Sequence, residues 1–143
     1  MRRWTAVAAT VLVVLEAGVS ALAALILGGV ANRQHMQFAG VSYRAMADAA
    51  YLGLGLQAAF LLVVAGVLVR VAIRAQDRAF GRPTRFVLIG AAVFHAVLAA
   101  IVLALSGVWT FLVVALTLTL LVLLFFTRPE QGPVPSAPAA PAA

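Results

Sequence analysis

Residues 4–30 read WTAVAATVLVVLEAGVSALAALILGGV, an apolar run with a single ionisable residue, Glu16. The run is longer than the roughly 20 residues that carry a helix across a bilayer's hydrocarbon core. Strict apolar–polar alternation is absent, and in lipid only a helix or a closed barrel satisfies every backbone group, so the run reads as a membrane-spanning helix. Working outward, three more such runs follow: residues 51–73, with Tyr51–Val69 the most apolar part, then Phe86–Leu105 and Val108–Phe126. The whole chain shares this bias. Its 143 residues are 65% hydrophobic, with a mean hydropathy of +1.12, against about half in an ordinary soluble domain. One soluble core of this size could not bury that much apolar surface. The expected fold is all-α: a polytopic membrane protein forming an antiparallel bundle of four transmembrane helices.

Charge gives the orientation. All ten basic residues are arginines, against four acidic ones, for a net charge of +6. With the N-terminus inside, Arg2, Arg3, Arg70, Arg74, Arg78, Arg82, Arg85 and Arg128 lie on the inner side, and only Arg33 and Arg44 lie outside. That bias places both termini in the cytoplasm. Trp4, Phe80 and Phe86 then mark the inner interface, and Tyr43, Tyr51 and Trp109 the outer one. The basic MRRW start followed by an apolar run has the outline of a signal peptide, but the run is about twice the usual length and holds Glu16, which favours a retained signal-anchor helix. The same charge would suggest nucleic acid in a soluble chain. Here Arg70, Arg74, Arg78, Arg82 and Arg85 are expected to act as topology signals and anionic-lipid contacts, and no nucleic-acid partner is expected. Arginine to the exclusion of lysine, amid Ala, Val, Leu and Gly, is the usage associated with a GC-rich bacterial genome. The expected site is the bacterial cytoplasmic membrane.

The connections divide the chain into a transmembrane domain, 1–127, and a tail, 128–143. Residues 31–50 form the one sizeable outer loop, and Ser42 is placed to cap the helix that follows. Arg70, Arg74 and Arg78 recur at helical spacing, as on a helix emerging into water. Residues 74–85 read as a basic loop broken by Gly81 and Pro83. Ser106-Gly107 is a tight turn that makes the last two helices antiparallel neighbours. The tail holds five of the six prolines and is expected to be disordered and cytoplasmic.

Ionisable groups inside a membrane are costly and serve as functional hypotheses by default. Glu16 and His95 are the two deep ones, and each falls near the middle of its span, so they share a depth. The neighbours of Glu16 at helical spacing are Leu12, Ser20, Ala9 and Ala23. Those of His95 are Ala91 and Ala99, with Ala92, Ala96 and Ala100 beside them. Small residues of this kind let helices approach closely. Thr117 and Thr119 in the fourth span and Gln57 in the second can complete a polar cluster, Gln57 lying nearer the outer surface. The candidate cluster is Glu16, Ser20, His95 and Thr117. Paired, Glu16 and His95 would share a proton and titrate as a unit, which suits a proton relay. They would equally serve as interhelical glue. A partnerless, lipid-facing Glu16 is the third possibility.

Other chemistry finds little support. With no cysteine, disulfides, thiolate nucleophiles and Cys-ligated metals are excluded. His35 and His95 are too far apart in depth to share a metal, so no metal or cofactor is expected. No G-x-S-x-G, P-loop, H-E-x-x-H or G-x-G-x-x-G pattern occurs, and no enzymatic activity is expected. Asn32, Arg33, His35, Arg44 and Asp48 gather at the outer surface, where a solvated loop explains them.

Two resemblances follow from these residues. Glu16 in the first of four helices is similar in position to the membrane-embedded glutamate of the small multidrug resistance transporters. The chain departs from them in its outer loop, in His95 and in its charge bias, and their activity is not carried over. LEAG at 15–18, ANRQHMQFAGVSYRAM at 31–46, GRPTRFVLI at 81–89 and FHAVLAA at 94–100 resemble a group of small actinobacterial integral membrane proteins. That resemblance implies a bacterial cytoplasmic membrane and four helices, and supplies no activity. The leading functional reading from sequence is a non-catalytic membrane subunit or regulatory protein. Its partners would be the lipid bilayer and another membrane protein or a second copy. The alternative is a small proton-coupled transporter built on Glu16 and His95.

Overall fold

The computed structural model describes residues 2–35, 40–73, 81–105 and 107–127. These form four helices: α1 (Arg2–Gln34), α2 (Tyr43–Ile73), α3 (Arg82–Leu105) and α4 (Val108–Phe126), with no β-sheet among the described residues. All four are long and apolar enough to cross a membrane. The protein is a four-transmembrane-helix bundle, and an integral, multi-pass membrane protein. The helices alternate in direction, so the start of α1 and the end of α4 lie at one end of the bundle. That is the terminal end; the 35–42 connection and the turn at Gly107 lie at the other, the loop end.

The helix ends have local causes. Ser42 caps α2 as expected: its hydroxyl accepts the Ala45 N–H at 3.3 Å, and its carbonyl accepts the Met46 N–H at 3.1 Å. This cap starts α2 eight residues ahead of the apolar run. The third helix also begins earlier than its apolar run suggests. Pro83 does not break the chain there. It occupies the first turn, where a missing N–H costs nothing and a fixed φ already suits the helix. The Gly81 carbonyl accepts the Arg85 N–H at 3.1 Å, so Arg82 and Arg85 belong to α3 and not to a loop. Gly107 has a φ of 86°, open to glycine without strain, and caps α4. Residues 74–80, with Arg74 and Arg78, and the tail from 128 lie outside the described residues.

Packing follows a heptad-like seam. Buried positions step by three or four: Ala6, Ala9, Val13, Ala17, Ser20, Ala24 on α1; Leu61, Ala65, Leu68 on α2; Leu88, Ala91, His95, Ala99 on α3; Val114, Thr117, Leu121, Leu124 on α4. That is the spacing of left-handed bundle packing. Helix α1 packs most extensively on α2, α3 on α4, α1 more lightly on α4 and α2 least on α3. No backbone approach links α1 to α3 or α2 to α4 among the described residues, so these pairs sit on the diagonals. At 1.5 Å per residue the 19 residues of α4 span about 28 Å, the thickness of the hydrocarbon core, whereas the 33 of α1 span about 50 Å. The α1–α2 hairpin therefore extends past α3 and α4 at the loop end. Tyr43 goes with it: eight residues, about 12 Å, separate it from Tyr51. Its ring packs at a tilt against that of His35, 4.6 Å between ring centroids.

Candidate functional site

Glu16 meets His95. The imidazole Nε2 lies 3.0 Å from Glu16 Oε2, and the Thr117 hydroxyl lies 2.6 Å from Oε1. His95 and Thr117 are fully buried, and the Glu16 side chain is 12% exposed. The imidazole is held from its other side, where Nδ1 lies 2.7 Å from the Ala91 carbonyl. Phe94 stands edge-on to it at 5.8 Å and packs in turn on Phe60. A carboxylate, an imidazole and a hydroxyl thus satisfy one another where water is scarce, as buried polar groups must.

Two features define this network. The first is its path: Glu16 and His95 join α1 to α3 across the bundle diagonal, between helices whose backbones do not approach, while Thr117 ties α1 to α4. The second is its depth. Thr117 is the central residue of α4, about 13 Å from either end. The shared depth expected of Glu16 and His95 is a direct contact at mid-membrane.

The remaining expected members divide. Ser20 is buried on the same α1 stripe, one turn from Glu16 toward the loop end. Its hydroxyl accepts from Gln57 Nε2 at 3.1 Å, which joins α1 to α2. Gln57, placed last by depth, is therefore the partner that Ser20 required. Thr119 is turned outward, its hydroxyl donating to the Ala115 carbonyl at 2.8 Å. Of the alanines around His95, Ala91 and Ala99 are buried, Ala92 is half-buried, and Ala96 and Ala100 are exposed. The close-packing face of α3 is narrower than its alanine content suggests. Arg70, Arg82 and Arg85 are exposed toward the terminal end, remote from the network. No group of three metal-ligating side chains occurs among the described residues. Two shallow grooves, one lined by Arg3, Val7, Val69 and Ile73 and the other by Arg82, Arg85, Phe86 and Ile89, do not include the network residues.

The layers on either side of the network differ. Toward the terminal end, Ala9, Leu68, Leu88 and Leu124, then Val13, Val64, Ala91 and Leu121, form a continuous apolar core with Leu61. Toward the loop end the buried positions are Ser20, Ala24, Gly28, Ala47, Ala58, Ala99 and Val114, mostly small. Every large, fully buried side chain lies at the Glu16 level or on its terminal side.

The chain matches no protein-family model, no curated protein and no solved structure. The reading of its activity therefore rests on the site.

Proposed function

We propose that the protein is a small proton-coupled carrier in which Glu16 is the proton site and His95 its partner. One observation carries this reading: a carboxylate–imidazole pair, fully buried on the histidine side, crosses the bundle diagonal at mid-membrane. Ionisable groups at such a depth are costly and mark proton and substrate paths. Large side chains pack the terminal side of the pair and small ones the loop side, and on this reading protons reach Glu16 from the loop side. A subunit acting only through its helix surfaces, the leading expectation from sequence, has no use for such a pair beyond fixing register. Neutral side chains fix register at less cost. The arginine distribution supports a bacterial cytoplasmic membrane with both termini cytoplasmic, so proton access is from outside.

The test needs no substrate. Vesicles containing the protein are adsorbed on a solid-supported membrane and given a pH jump. Proton binding part-way across the bilayer displaces charge, so wild-type protein gives a transient current and Glu16→Gln gives none. Equal currents from the two, or no current from either, would overturn the carrier reading.

A further inference from the structure

The hydrogen-bond geometry fixes how many protons the network holds. A carbonyl oxygen only accepts, so the 2.7 Å contact with Ala91 requires a proton on His95 Nδ1. With Nδ1 protonated, the 3.0 Å contact between Nε2 and Glu16 Oε2 needs one more proton, shared between them. Imidazolium can donate to carboxylate, or a carboxylic acid can donate to neutral imidazole. With that proton removed, two lone pairs would face each other at 3.0 Å, and the contact would become repulsive.

Thr117 adds a second state. Its hydroxyl has one proton and two acceptors within reach, Glu16 Oε1 at 2.6 Å and the Val113 carbonyl at 3.2 Å. When Oε1 is unprotonated, Thr117 donates to it in a short, charge-assisted bond. When Oε1 gains a proton, the new O–H donates to the Thr117 oxygen, and the threonine proton turns to Val113. Every polar atom of the network then has a partner with either one or two protons on the Glu16–His95 pair beyond the one on Nδ1, and not with none.

We infer that the exchangeable proton of this protein binds Glu16 Oε1, on the Thr117 side, while the proton between Glu16 and His95 stays in place as a fixed structural proton. Thr117 is the positioning residue that lets the exchangeable proton come and go without leaving a bare polar atom. The use made of that proton rests on the carrier reading above; the proton count does not. No other titratable group intrudes. Among the described residues the nearest charged groups on the neighbouring elements are Arg3 on α1, Asp48 and Arg70 on α2, and Arg85 on α3, all toward helix ends, and α4 has none.

The test is nitrogen-15 NMR of the histidines in lipid-reconstituted full-length protein, with His35→Gln to assign His95, alongside infrared spectra of the Glu16 carboxyl. The expected result is a protonated Nδ1 at every pH at which the bundle stays folded. Besides the bands of Asp48, Asp77, Glu130 and the C-terminus, acidification should add a protonated-carboxyl band that is missing in Glu16→Gln. That band should shift in Thr117→Val, which cannot accept its proton, and return in Thr117→Ser. A bare Nδ1 in the folded protein, or a carboxyl band indifferent to Thr117→Val, would overturn the inference. The expected spectra without charge movement in the pH jump would uphold the proton count and remove the carrier reading. Charge movement with a bare Nδ1 would do the reverse.

Discussion

On the terminal side of Glu16 leucine and valine from all four helices pack among Ala6, Ala9, Ala65 and Ala91; on the loop side the buried positions among the described residues are alanine, glycine, serine and one valine. The two halves belong to the same helices and face the same lipid, so the hydrophobic effect does not separate them. Lipid tails are as apolar as leucine, and association inside a membrane relies on close packing and hydrogen bonds. The difference lies in what each half is packed for. Interlocking large side chains from four helices make a plug. Small side chains, which let α1 and α2 lie close together while α3 and α4 contribute little, make a seam. Glu16, His95 and Thr117 form the layer where plug gives way to seam, with Ser20 and Gln57 the first polar pair on the seam side. The Glu16 carboxylate thus has large buried side chains on one side and small ones on the other, the asymmetry on which the proposed proton coupling rests.

The largest effect should come from the boundary layer. His95→Ala leaves Glu16 without its charge partner, and the bundle should lose about 3 kcal/mol of stability. In a cycle with Glu16→Gln, unfolding in mixed detergent should show strong coupling between the two sites. Additive losses would break the network. Next come the two halves themselves. Leu124→Ala in the plug opens a cavity that lipid cannot enter and should cost about 2 kcal/mol, the packing part of a core truncation. Val114→Ala on the seam side should cost no more than about 0.5 kcal/mol, because less surrounds it. Equal losses in the same assay would erase the distinction between plug and seam.

A smaller effect probes how the seam is held. A Cβ on Gly28 would lie 2.4 Å from the Tyr51 ring, so Gly28→Ala must displace that ring. Tyr51 is partly exposed and has room to swing away, so about 1 kcal/mol is expected. Adding Tyr51→Ala should remove most of that cost. The smallest effect is Gln57→Leu, which removes the neutral bond to Ser20. The loss should be about 0.6 kcal/mol, typical of a hydrogen bond between membrane helices. A much larger loss would move Gln57 into the functional layer.

The bundle was legible in the chain because membrane spans announce themselves by length and lack of charge, and Val108–Phe126 needed no more than that. Helix starts were less so. Ser42 marked the start of α2, but at α3 Pro83 signals a break to a reader who does not know that it sits in a first turn. The central contact could be anticipated because Glu16 and His95 are the only deep ionisable residues, and depth can be counted along a helix. Rotation cannot be counted as well. Thr117 and Thr119 are two residues apart and both were open to the cluster, which took Thr117; they face opposite ways, since two positions turn a helix by over half a revolution. Gln57 was undervalued because depth was judged against Glu16, whereas its partner is Ser20, one turn further on.

The one-sided access on which proton coupling depends is read most directly with cysteines, since the chain has none of its own. Ala91 and Ala99 flank His95 one turn to either side on the same buried face of α3. Single cysteines at these two positions, treated with a membrane-impermeant thiol reagent in sealed vesicles with the loop end outward, compare the halves in one experiment. The cysteine at 99 should react at least about tenfold faster than the cysteine at 91, in line with reactivity following exposure. Equal rates, or a faster reaction at 91, would contradict a Glu16 layer that opens toward the loop end alone.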